Sequence, residues 1–165
     1  MLIRSEQPDD RPQIRTVNEA AFGRSDEADL IDNLRTEGAV LLSLVAELGN
    51  QIVGHILFSR MTIETVHASI TAVSLAPMAV LPDHQARGIG SQMIRHGLAQ
   101  LRDRDERIVL VLGHEHYYPR FGFSPEQARH LASPFPSEAF MALGLTNGAL
   151  AAIHGSVRYP AAFGL

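Results

Sequence analysis

The chain of 165 residues contains no cysteine. Disulfides, thiolate metal sites and cysteine nucleophiles are thereby excluded. No apolar run approaches the roughly 18 residues needed to cross a bilayer as a helix. The N-terminal stretch MLIRSEQPDD lacks the apolar core of a secretory signal. Charge of one sign is also scarce, since the net charge is −4 with neutral histidines and charged residues make up only 19%. Neither a nucleic-acid duplex nor an anionic membrane is favoured as a partner. Repeats, low-complexity tracts and linkers are absent. The length suits one packed core. The expectation is a single domain over residues 1–165, cytoplasmic, monomeric or homodimeric, without a nucleic-acid or membrane partner.

What is present is hydrophobic patterning. Leu2–Arg4 reads as a short strand. A helix follows through QPDDRPQIRTVNEAAFG, with Ile14, Val17 and Ala21 on one face and Gly23 as a stop. A second helix is expected from Glu27 to about Glu37, with Asp26 as N-cap and Gly38 beyond its end. The period then changes. AVLLSLVAEL and QIVGHILFSR read as strands joined by Gly49-Asn50, a two-residue hairpin signal. ASITAVSLAPMAVL reads as a third strand. Its Pro77 has no N–H for a ladder, so an edge or bulge is expected there.

From Gly88 to about Asp103 the helical pattern is strongest, with Ile89, Met93, Ile94, Gly97, Leu98 and Leu101 on one face. RIVLVLG is an apolar strand of the central, buried type. HEHYYPRFGF reads as a turn with a short helix, SEAFMALGL as helix or mixed connection, and AAIHGSVRY as a closing strand. Three consecutive strands argue for antiparallel hairpins. The β-α-β unit over residues 71–112 argues for a parallel pair with a right-handed crossover. The fold class is therefore α/β, a single-domain mixed and mostly antiparallel sheet with helices on both faces.

The stretch LPDHQARGIGSQMI links the third strand to the strong helix. The first N–H groups of a helix have no partner within it, and the helix dipole is positive there. Gly88 and Gly90 let an anion approach the backbone, and Arg87 adds a charged fork. A phosphate or pyrophosphate fits such a turn. The dinucleotide fingerprint needs a third glycine where Met93 stands, and the P-loop needs Gly-Lys-Ser/Thr. Neither is present.

Gln-x-x-Gly-x-Gly, after a strand and before an amphipathic helix, resembles the acyl-coenzyme A motif of the GNAT superfamily of N-acetyltransferases. YYPRFGF resembles the Tyr-x-x-x-Gly-Phe element of the same family, with Tyr118 four residues before Gly122. The two motifs stand in the family's order, one helix and one strand apart. The likeness covers roughly residues 1–125. The tail GSVRYPAAF is similar to a bacterial branch of predicted acetyltransferases.

The resemblance implies an acyl-CoA N-acyltransferase fold and acetyl-CoA as co-substrate. It implies that the strand before the glycine turn splays from its neighbour, with Met78, Ala79 and Val80 beside the pantetheine arm. It places the pyrophosphate on N–H groups of Gln85, Ala86, Arg87, Gly88, Ile89, Gly90 and Ser91. The implied reaction moves an acetyl group to a primary amine by direct attack in a ternary complex. An alkylammonium has a pKa of roughly 10.4, so it must lose a proton before it can attack. The oxyanion needs an N–H donor, and an amide near Ala79 or Val80 suits. Tyr118 matches the family's general acid for the leaving thiolate, with Tyr117 as the neighbouring alternative. Phe121, Gly122 and Phe123 read as structural.

The base departs from the family. Many relatives carry a glutamate seven residues before the cofactor-pairing segment, and that position is Thr71. His114 is the first candidate in its place, being a histidine near its working range after the LVLG strand. Glu115, His116, Glu47, His55 and a water path are the others. Acceptor specificity is expected from the first two helices and their loop, AAFGRSDEADLID, and from the C-terminal segment. Within AAFGRSDEADLID, Asp26, Glu27 and Asp29 offer charge for a cationic acceptor, which is a small molecule or a protein amine. HEHYY does not complete the HExxH zinc motif, because Tyr118 stands where the second histidine belongs. No metal is expected. The competing function class is an acyl-CoA-binding sensor or docking protein without turnover, which the missing glutamate keeps open.

Overall fold

A computed structural model of the chain describes residues 1–136 and 138–165. The elements follow in the order β1 (Leu2–Ser5), α1 (Arg11–Phe22), α2 (Asp26–Glu37), β2 (Val40–Leu48), β3 (Gln51–Glu64) and β4 (Ser69–Val80). Then come α3 (Ile89–Asp103), β5 (Ile108–Leu112), β6 (Leu131–Ala132), β7 (Phe140–Gly144) and β8 (Gly155–Arg158).

The sheet runs β1-β2-β3-β4-β5-β7. Neighbours are antiparallel except β4 and β5, which are parallel and joined by the α3 crossover. β2 and β3 meet at Gly49-Asn50, where φ is +55° and +65°. Positive φ at both central residues is what a type I′ turn requires, and its twist matches that of the strands it joins.

Side chains alternate across the strands and so divide the core. Leu44, Ala46, Ile56 and Phe58 face α3 residues Met93, Ile94 and Leu98. Their neighbours Val45 and Leu57 face α1 and α2 through Ile14, Val17, Ile31 and Leu34. Helices thus cover both faces, as the period of each segment implies. A third cluster lies toward the C-terminus, around Met61, Ile63, Leu110, Phe140 and Ala142.

Two local expectations are revised. The second helix already includes Asp26, with Ser25 at the cap position and no side-chain cap bond. Asp26, Glu27 and Asp29 instead occupy its first turn, where the dipole favours them. The segment read as helix or connection contains strand β7, antiparallel to β5 from Phe140 to Gly144. Its first residue, Ser137, lies outside the described residues. Phe140, Met141, Ala142 and Leu143 are all buried. A strand covered on both faces has no alternation to read. The closing strand expected within AAIHGSVRY is present as β8, which pairs with the far end of β3, at Thr62–Glu64, and with β6. β3 is long enough to hold β2 along one part of an edge and β8 along the rest.

Candidate active site

β4 and β5 are paired only at Val73–Val109 and Ser74–Leu110. Beyond Ser74 they part, and Leu75–Val80 keeps a strand partner only in β3 among the described residues. On that side Met78, Ala79 and Val80 pair with Ile56, His55 and Gly54. The register shifts between Ile56 and Phe58, which leaves Ala76 and Pro77 opposite Leu57. Pro77 therefore sits at a bulge, where its missing N–H costs no ladder bond.

The gap opens into a cleft of about 870 Å³. One wall is β4 from Leu75 to Val80. A second is the turn and first residues of α3, including Gln85, Ala86, Gly88, Ile89, Gly90 and Ser91. Leu112, Gly113, His114, Tyr117, Tyr118 and Arg120 form a third. Arg87 is exposed and outside the lining.

The turn is built to leave donors free. Gln85 Nε2 donates to the Val80 carbonyl at 3.0 Å and folds the loop back on the strand end. Ala86 has φ +62°, and Gly88, the cap residue of α3, has φ +81°. No side chain caps the helix, and its first backbone bond runs from Gln92 N–H to the Gly88 carbonyl at 3.0 Å. The preceding N–H groups thus have no partner within α3 and lie at its positive end.

The two tyrosines differ. Tyr117 bonds through its hydroxyl to Ser91 Oγ at 3.1 Å. Tyr118 has a buried ring, packed edge-on against Tyr117 and Phe123 at 5.2 and 5.8 Å. Gly113 has no room for a Cβ, because the Tyr118 ring fills that space. The Tyr118 hydroxyl has no hydrogen-bond partner among the described residues, and the residue lines the cleft. Burial, and then the neighbouring Tyr117, pushes its pKa up to about 12.

Among the residues considered for the base, only His114 lines the cleft. Glu115 and His116 pair with each other at 3.4 Å on the surface. Glu47 pairs with Arg4 at 3.2 Å, and Thr71 is paired with Thr62. His55 is wholly buried between sheet and helices. Asn18 Nδ2 already donates to the Ile14 carbonyl at 2.9 Å, which fixes the amide's orientation. Asn18 Nδ2 therefore also donates to His55 Nδ1 at 3.2 Å, and His55 Nε2–H donates to Ser43 Oγ at 2.9 Å. Ser43 in turn donates to Glu6, which also receives Arg35.

This chain of bonds has a consequence for stability. Burial lowers the His55 pKa from 6.5 to about 3, although Glu6 pulls the other way. Below pH 6.5 an unfolded histidine takes up a proton that folded His55 refuses until about pH 3. The unfolded state binds more protons there, so stability falls as pH drops through that window. Burial raises the Glu6 carboxyl, but bonds from Arg35 and Ser43 outweigh it and hold the pKa below its usual value. Its contribution is present above the carboxylate range and is lost as pH falls further. We expect up to about 1.4 kcal/mol lost per pH unit from His55 alone. Urea midpoints at about pH 7 and about pH 5 measure this above the carboxylate range, and equal midpoints would contradict a buried neutral imidazole.

The residues Ala21, Phe22, Arg24, Glu27, Leu30 and His84 complete the cleft. All but His84 lie in AAFGRSDEADLID, the stretch from which acceptor specificity is expected, although Glu27 alone is singled out there, as one of three acids. Asp26 and Asp29 lie outside the lining, with Asp29 bound to Arg15 at 2.7 Å. Arg24 and the apolar residues of α1 and α2 carry no motif, and only tertiary packing brings them to β4. His84 adjoins the glycine turn, which is the one signal that could have found it. Among the described residues no group of three or more metal-ligating side chains gathers, and no helix is long and apolar enough to cross a membrane.

Residues 2–125 match the acetyltransferase (GNAT) domain family. The chain is 44% identical over 118 residues to the uncharacterized N-acetyltransferase YjhQ of Escherichia coli, covering 70% of this chain and 65% of that protein. It is 32% identical over 162 residues to the uncharacterized N-acetyltransferase YhbS of the same species, covering 96% of both. The solved structure of E. coli YhbS in complex with CoA superposes with a TM-score of 0.92 at 31% identity, over 99% of this chain and 92% of that one. A GNAT family acetyltransferase from Brucella melitensis in complex with acetyl-CoA gives 0.82 at 39% identity, over 98% and 97%. The parted strands, the uncapped helix start and the buried tyrosine thus sit in a chain that belongs to the GNAT acetyltransferase family.

Proposed function

We propose that the chain, acting as a single domain over residues 1–165, transfers an acetyl group from acetyl-CoA to a primary amine by direct attack in a ternary complex. The observation that carries this is the parting of β4 from β5 beside an uncapped helix N-terminus. A strand edge without a strand partner suits the amide groups of a pantetheine arm, and Met78, Ala79 and Val80 supply that edge. The N–H groups from Ala86 to Ser91 suit a pyrophosphate, whereas the expected Gln85 N–H is already engaged by the Pro82 carbonyl at 3.4 Å. Two similar proteins, of 31% and 39% identity, hold CoA and acetyl-CoA in their crystal structures, which supports the same ligand here.

The residues divide the chemistry as follows. An amide near Ala79 or Val80 donates to the carbonyl oxygen as negative charge grows there. The amine nitrogen bonds to the carbonyl carbon and the carbon–sulfur bond breaks. Tyr118, held protonated by its raised pKa, gives its proton to the departing sulfur and regains one from the new amide nitrogen. The ammonium proton lost before attack leaves through His114 or through water. No carboxylate follows from family analogy, because Thr71 occupies that position and lies paired within the sheet.

Acetyl-CoA with a mixture of primary amines, followed by thiol release, tests the proposal. Amine-dependent release is expected. Binding of acetyl-CoA without any amine-dependent release would instead support a sensor that does not turn over.

A further inference from the structure

The cleft contains one carboxylate. Among the described residues that line it, Glu27 is the only acid. It stands in the first turn of α2, and its side chain is 11% exposed. Asp26 and Asp29, its neighbours in sequence, are 75% and 56% exposed and face away from the lining.

A carboxylate so far removed from water needs a cation or several donors. Glu27 has Arg24, whose Nε reaches the two oxygens at 2.6 and 3.1 Å. No other group among the described residues bonds to it. An ionised carboxylate offers about four acceptor sites, so a single shared N–H leaves capacity unused. Arg24 is 62% exposed and can swing aside without losing a buried position. Beside Glu27 the cleft is apolar, walled by Ala21, Phe22 and Leu30.

Resting on the reading of the cleft given above, we infer that Glu27 receives the ammonium group of the acceptor, and that the acceptor is a primary monoamine on an apolar body. A lone acid gives a second ammonium of a polyamine no counterpart. An amino acid brings its own carboxylate toward Glu27, and like charges at close range are disfavoured. Ala21, Phe22 and Leu30 accept an alkyl or aryl group.

The experiment measures acetylation of hexylamine, phenethylamine, spermidine and glycine by the wild type, Glu27→Gln and Glu27→Asp. Calorimetric titration of each protein with acetyl-CoA accompanies it. Glutamine matches glutamate in size and still accepts a bond from Arg24, so E27Q keeps the fold. Hexylamine and phenethylamine are expected to be the better acceptors. E27Q raises the amine KM by about tenfold or more, as loss of one member of a desolvated charge pair does. Its acetyl-CoA affinity stays unchanged, and E27D restores part of the amine KM. Preference for spermidine or glycine, no turnover of any of the four despite acetyl-CoA binding, or an unchanged amine KM in E27Q each overturns the assignment. Failure of the wild type to bind acetyl-CoA overturns the enzyme reading beneath it.

Discussion

Replacing Gly88 with glutamate is expected to remove acetyl-CoA binding while the protein stays folded. Gly88 lines the cleft at the start of α3, and its open surroundings would take a side chain without a clash. The new carboxylate would therefore project into the space where the pyrophosphate is proposed to lie. Like charges brought together at a binding site cost several kcal/mol, which corresponds to a loss of about a hundredfold or more in affinity. The backbone adds a smaller term. At φ +81° any side chain is strained, by roughly 1–2 kcal/mol. Gly88→Ala carries the strain without the charge, so it separates the two. Calorimetry on both variants, with circular dichroism as the check of folding, measures the effect. Unchanged affinity in folded Gly88→Glu would remove the phosphate cradle from the account.

Tyr118→Phe is expected to lower kcat by about 10²–10⁴-fold, the range for loss of a positioned general acid. Its KM for acetyl-CoA should change little, because the ring keeps its packing against Tyr117 and Phe123. Burial holds the wild-type hydroxyl protonated to about pH 12. Tyr118 thus contributes no loss of activity across the neutral and mildly alkaline range, where deprotonation of the amine makes the rate rise. Tyr117→Phe is the contrast, since that hydroxyl is engaged with Ser91. Gly113→Ala offers a second route to the same point, as its methyl would displace the Tyr118 ring without touching the hydroxyl chemistry. Wild-type kcat in Tyr118→Phe would leave the residue as packing alone.

Much of the fold was legible because the helices keep one wet face and the central strands are apolar runs rich in β-branched residues and bounded by turn residues. The six apolar positions from Ile89 to Leu101 are the six that α3 buries. Gly49-Asn50 announced its hairpin through chemistry that few other residue pairs permit. Strand β7 was not legible, since burial on both sides erases the period and FMALG lacks the β-branched residues that marked the equally buried β5 as a strand. Nor was the attachment of β8 to the end of β3, a long-range pairing with no local signal.

The candidate site divides in the same way. Its cofactor-facing half rests on contiguous stretches, the strand end and the turn after it, which a motif can report. The half proposed to face the acceptor joins α1 and α2, whose connecting stretch the sequence marks for specificity, to the residues after β5. These lie far apart in sequence, so no spacing shows which of their side chains meet. His55 illustrates the limit of residue type alone. As a histidine on a central hairpin it qualified as a base, yet burial keeps it neutral and bound to Asn18 and Ser43. Glu27 illustrates the converse. It was indistinguishable from Asp26 and Asp29 until α2 packed and turned only one of the three into the cleft.

Calorimetric titration of the purified, folded protein with acetyl-CoA, with NADH and ATP as controls, tests the central claim most directly. The account predicts selective binding of acetyl-CoA, because the open edge of β4 recognises a pantetheine arm that neither control carries. Absence of binding, or equal binding of ATP and acetyl-CoA, would contradict it.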